Sequence, residues 1–112
     1  MSTGSGTQVG GREWADVVAA LAAALADGWR AGATALWAAD RRREAVWLRA
    51  DYRAAAAVVR CASSGRSDDV AWAIRRCRTA ARHSAAHPTL AAPWRDAARL
   101  LAVAAGGARS RR

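Results

Sequence analysis

Trp14, Val17, Val18, Leu21 and Leu25 recur at three- and four-residue spacing, with Asp16, Ala23 and Asp27 on the opposite side. That periodicity predicts an amphipathic helix from Arg12 to Ala26, with Asp27-Gly28 as its stop. A second, longer helical pattern runs from Trp29 to Ala62, bent near Gly32, and ends in Ser63-Ser64-Gly65. A third helix is expected behind an N-cap at Ser67, with Asp68 and Asp69 placed favourably against the helix dipole and an end before Pro88. Its core stripe reads Val70, Ile74, Cys77 and Ala81. The fourth spans Thr89 to Ala105, and there Pro93 fits only if it lies in the first turn. No strand pattern interrupts this series. The expected fold is therefore all-α, a small bundle of about four helices built on an antiparallel hairpin of the long helix 2 and helix 3. Residues 1–11 read as a flexible Gly/Ser/Thr-rich leader, 12–105 as the helical domain and 106–112 as a loose basic tail.

The second helical pattern carries an inversion. On a wheel of ~100° per residue with Arg42 at zero, Arg49, Arg53 and Arg60 fall at about −20°, +20° and 0°. Four guanidinium groups thus share one stripe. Arg75, Arg78 and Arg82 form a second, looser stripe on the third helix, which a short hairpin would place next door. The opposite face of the second pattern holds Trp29, Ala33, Leu36, Trp37, Trp47, Leu48, Ala55 and Val58, with Asp40, Glu44 and Asp51 within about 20° of its centre. An unpaired buried carboxylate is too costly to persist, so these three are expected at a seam, paired with arginine from another helix or a second copy. Trp37, Asp40, Glu44, Trp47 and Asp51 are the candidate seam residues.

Composition changes the weight of the arginines. The 112 residues include 33 Ala, 18 Arg and 6 Trp but no Lys, Asn or Phe, the imprint of a GC-rich coding sequence such as that of a high-GC bacterium. Codon bias explains why every basic residue is Arg, yet it does not explain a net charge of +9, because Asp and Glu also have GC-rich codons. A polyanionic partner remains the physical implication. Only 24 residues are Val, Leu, Ile, Met, Trp or Tyr. A chain of this size buries only ~60–68% of its unfolded surface, so the core is thin and self-association is a natural remedy.

Candidate chemistry is sparse. Trp72 faces the same way as Arg75, Arg76 and His83 rather than with its helix's apolar stripe, so it is expected to be partly exposed, where it could stack on a base, anchor a partner or cover an Ala-rich neighbour. His83 and His87 form an i, i+4 pair, but the chain has no Glu-x-x-His, and neither metal nor cofactor is expected. There is no G-x-S-x-G, Gly-rich phosphate loop or Cys-x-x-Cys, so a non-enzymatic protein is expected. Across a turn near Gly65, Cys61 would face about Asp69 and leave Cys77 ~12 Å further along, beyond disulfide reach. Reduced thiols and a cytoplasmic location follow from that reading. Val17–Ala39 is interrupted by Asp27, Gly28 and Arg30, so no membrane span is expected. The candidate polyanion contacts are Arg42, Arg49, Arg53, Arg60, Arg75, Arg78, Arg82 and Trp72, engaging nucleic-acid backbone without strong sequence readout. The alternative is a protein-interaction or assembly module with incidental charge.

Overall fold

The computed structural model describes residues 12–38, 44–86 and 88–110 and is all-α, with α1 Arg12–Ala38, α2 Glu44–Ser63, α3 Ser67–His83 and α4 Pro88–Ser110. Each helix packs against two others: α1 touches α2 and α4, and α3 touches α2 and α4. Around the bundle axis the order is therefore α1, α2, α3, α4. The Trp14 indole meets Ala62 and the Trp29 ring meets Tyr52. These two pairs run in opposite sequence directions, so α1 and α2 are antiparallel. The bundle is slender, 53 Å long and 19 by 16 Å across. Among the described residues no helix is long and apolar enough to cross a membrane.

The stripes read from periodicity make the core. Trp14, Leu21 and Leu25 of α1 are buried with Val17 and Val18 packed beside them, while Asp16, Ala23 and Asp27 are exposed. On α3, Val70, Cys77 and Ala81 are buried and Ile74 packs against them. Val58 of α2 and Trp94 and Leu101 of α4 add bulk, and alanine supplies the rest of the seam, with Ala54 and Ala62 from α2, Ala73 and Ala80 from α3, and Ala97, Ala98 and Ala105 from α4.

The turn between α2 and α3 falls where Gly65 predicts it. Gly65 has φ of 70°, a left-handed conformation that only glycine adopts without cost. The backbone N–H of Ser64 donates to Cys61 O at 3.3 Å and that of Gly65 to Ala62 O at 3.1 Å, satisfying two carbonyls at the end of α2. Ser67 is not the N-cap. It is the first helical residue, the cap position belongs to Arg66, and no side chain caps the backbone there. Ser64 ties the turn down instead: its hydroxyl accepts from the Arg66 N–H at 3.1 Å and donates to the Asp69 carboxylate at 2.6 Å.

Three boundaries differ from the sequence reading. Helix α1 continues through Asp27-Gly28 to Ala38, and α2 begins at Glu44 rather than Trp29. Gly28 is there for close approach, not as a stop: a Cβ at this position would overlap the Pro93 ring of α4. Trp29 consequently stands on α1, across from α2, and a single wheel over Trp29–Ala62 does not hold. Pro93 itself lies inside α4, which begins at Pro88, and not in its first turn. A helix-interior proline costs ~3 kcal/mol or more through its missing N–H and its clash with the preceding turn. The glycine notch gives the ring a packed site in partial return. Finally, α4 runs through Gly106 to Ser110, where a loose tail was expected. A glycine costs about 1 kcal/mol in a helix, and the alanine-rich stretch before it propagates well enough to carry the helix onward.

Replacing Gly28 with Ala should destabilise the protein by ~1–3 kcal/mol through overpacking, although alanine is the better helix former by about 1 kcal/mol. Adding Pro93→Ala should recover most of that loss in a double-mutant cycle followed by thermal unfolding, and a stabilised Gly28→Ala single variant would contradict the notch. Trp14→Phe should cost ~1 kcal/mol or more, because the indole Nε1 donates to Ala62 O at 2.8 Å in a buried setting and phenylalanine cannot. Urea titration of the two proteins measures it.

Candidate functional site

Two surface grooves flank the bundle on opposite seams. The first lies between α3 and α4, has a volume of about 560 Å³, and is lined by Arg78, Ala81, Arg82, Ala85, Arg95, Ala98, Arg99, Ala102 and Val103. Among the described residues no carboxylate belongs to that wall. Asp96 stands between Arg95 and Arg99 in sequence but is not part of it. The four guanidinium groups are exposed, and among the described residues none of them is ion-paired, whereas Arg30 pairs with Asp27 at 3.3 Å. Arg82 is steadied by its neighbour, donating to Thr79 Oγ1 at 3.3 Å.

The groove is written twice in the sequence. Arg78-Thr79-Ala80-Ala81-Arg82 on α3 and Arg95-Asp96-Ala97-Ala98-Arg99 on α4 share one pattern, Arg-x-Ala-Ala-Arg. In both, the alanine pair is buried at the seam and the arginines four residues apart rise on its rim. Arginines at i and i+4 sit on the same helix face, ~6 Å apart along the axis. Arg95 and Arg99 are not among the sequence-derived candidates, because two basic residues on one helix make no stripe by themselves; the twin motif is the signal that pairs them with Arg78 and Arg82.

The remaining candidates are placed differently. Arg53 and Arg75 are exposed and line neither groove. Arg60 is exposed and lines the second groove, between α1 and α2. The α2 and α3 arginines therefore do not merge into one paired surface: Arg78 and Arg82 turn toward α4, and Arg60 toward α1. Trp72 is 39% exposed, as its wheel position predicts. Arg42, Asp40 and His87 lie outside the described residues, and so do the side chains of Arg49, Trp37, Glu44, Trp47 and Asp51, which carried the seam expectation. Among the described residues no three His, Cys, Asp or Glu side chains gather as metal ligands.

The second groove, about 500 Å³, is walled by Leu25, Ala55 and Val59 and closed at one end by Trp29 and Tyr52, whose rings meet edge-on at 5.6 Å and 63°. Tyr52 is 60% exposed.

Both cysteines are free thiols. The Cys61 thiol donates to Asp69 O at 3.5 Å, the pairing expected from the hairpin register. Burial raises its pKa, with the nearby Asp69 charge adding to the effect. Burial pushes Cys77 further, to about 12 against an ordinary 9.0, with Arg76 opposing weakly. Neither thiol is set up as a nucleophile, since reactive cysteines have lowered pKa values.

No protein-family model matches the chain, and no curated protein or solved structure is significantly similar to it. The fold and the grooves alone define its class, a small four-helix bundle with a cationic seam on one side and an apolar seam on the other.

The buried thiol has a pH consequence. In the unfolded chain Cys77 ionises near its ordinary 9.0, whereas the folded protein keeps it protonated up to about 12. The stability it contributes is full below pH 9 and is lost as pH rises toward 12. Urea unfolding between pH 8 and pH 10.5 should show this decline, and Cys77→Ala should flatten it. An identical slope in the variant would place the effect on other groups.

Proposed function

We propose that this protein is a non-enzymatic module that grips a polyanionic backbone, that of a nucleic acid, along the α3/α4 groove. The observation that carries the reading is the set of four arginines, Arg78, Arg82, Arg95 and Arg99, on one alanine-floored groove whose wall holds no carboxylate among the described residues. Like charges gathered this way repel one another, and an anionic ligand relieves that repulsion while releasing its own counterions. Arginine suits phosphate because its planar fork makes bidentate contacts. The ~6 Å axial step within each Arg-x-Ala-Ala-Arg motif lets successive guanidinium groups address successive backbone positions. With a net charge of +9, the rest of the molecule adds long-range attraction. Alanine offers no hydrogen bonds to base edges, so the expected binding is insensitive to sequence.

A second reading, assembly through apolar contact with a protein or another copy, is favoured by the exposed Val103, at 68%, beside the arginine groove and by the exposed Tyr52. Light scattering across a concentration series distinguishes it, because a rise in mass without nucleic acid supports assembly.

The test is a titration of duplex and single-stranded DNA at several salt concentrations. Non-specific affinities of ~10⁻⁴–10⁻⁶ M at physiological salt are typical. The double variant Arg82→Gln/Arg95→Gln should weaken binding on every sequence and reduce the magnitude of the salt slope by about 2. Arg53→Gln/Arg75→Gln, outside the groove, should change it less. Absence of binding at low salt, or an unchanged slope in the groove variant, overturns the proposal.

A further inference from the structure

We infer that the α1/α2 groove is a separate binding site for a small amphipathic anion, an apolar or aromatic body carrying one carboxylate. Its volume of about 500 Å³ falls within the ~300–1,000 Å³ usual for small-molecule sites, and like them it combines mostly apolar walls with a few placed polar groups. The two ends differ in charge. At the aromatic end Arg30 already has a carboxylate, Asp27, at 3.3 Å. At the other end Arg60 is exposed and has no ion pair among the described residues. The ligand's orientation follows: its ring lies against Trp29 and Tyr52, and its carboxylate reaches Arg60.

Length agrees with this arrangement. Tyr52 and Arg60 are eight residues apart on α2, ~12 Å at the helical rise. That span suits a two-ring or medium-chain acid. A polynucleotide fits poorly, because among the described residues this wall offers one unpaired cation where the α3/α4 groove offers four. A helical peptide, ~10–12 Å across with its side chains, would have to ride above the groove rather than fill it. Tyr52 lines the groove and is more than half exposed, so its phenol is a hydrogen-bonding handle for a polar ring substituent.

The probe is 2-naphthoate, compared with the neutral 2-naphthalenemethanol, titrated calorimetrically into the full chain. Saturable one-to-one binding of the naphthoate is expected, at least tenfold tighter than that of the alcohol. Arg60→Gln should bring the naphthoate down to the level of the alcohol, and Tyr52→Ala should weaken both. Arg99→Gln should affect neither, and saturating duplex DNA should not displace the probe, so this site and the polyanion groove fail or succeed independently. In the unaltered protein, the Trp29 indole N–H resonance should shift on binding while that of Trp72, on α3 and outside this groove, stays in place. Equal affinity for acid and alcohol, indifference to Arg60→Gln, an unmoved Trp29 resonance, or binding of an acidic helical peptide without the naphthoate would each overturn the inference.

Discussion

Alanine sets the distance between the helices, and most of the molecule's other features follow from that distance. Half of the buried core cluster is alanine, with Ala54, Ala62, Ala73, Ala80, Ala81, Ala97, Ala98 and Ala105 between the larger side chains. A methyl group buries little area, worth roughly 25 cal/mol per Å², so such a seam stabilises only if backbones come close enough for dense contact. Gly28 against Pro93 is the extreme case, where even a methyl is excluded. The few bulky residues then act as keys. Trp14 fills the end of the bundle and secures itself to Ala62 O, while Leu21, Val58 and Leu101 are fully enclosed.

The same choice hollows the surface. Where two helices approach on alanines, nothing large fills the furrow above the contact, and both grooves are floored by small residues. What differs is the rim. On the α3/α4 side the positions four residues apart carry arginine, whose charge and length keep the furrow open to water. On the α1/α2 side the wall carries Trp29, Tyr52 and Val59, with arginine only toward its two ends, Arg30 and Arg60, and the furrow is mostly apolar. One packing rule thus produces two surfaces of opposite character, and their chemistry is decided by rim residues that the core does not constrain.

How far the sequence discloses this depends on the physical range of each signal. Amphipathic periodicity is local and strong, so the stripes of α1 and α3 and the Gly65 turn are legible, as is the register that brings Cys61 to Asp69. The course of the helices through Gly28, Pro93 and Gly106 is not, because each depends on a competition that propensity alone cannot judge. Gly28 is a breaker by propensity and a packing notch by virtue of a proline sixty-five positions away. Reading it as a stop moved Trp29 onto the wrong helix and joined two wheels whose phases are unrelated. Ser67 was a plausible cap by residue type, but the Ser64 hydroxyl already bridged the turn.

The arginines teach a related lesson about scale. Angles on one helix wheel describe which residues share a face, not which neighbour that face meets. Arg60 and the pair Arg78 and Arg82 looked adjacent because α2 and α3 are adjacent, yet a helix in a four-membered ring has two flanks, and these residues lie on flanks that point away from each other. Arg78 and Arg82 are paired with their neighbours by a repeated motif, not by an angle. Arg-x-Ala-Ala-Arg occurs on α3 and again on α4, and its buried alanine pair fixes each copy at the seam, which forces the flanking arginines of both helices onto a shared rim. A short motif repeated on two helices, with its small residues inward, therefore specifies a composite surface that neither helix presents alone.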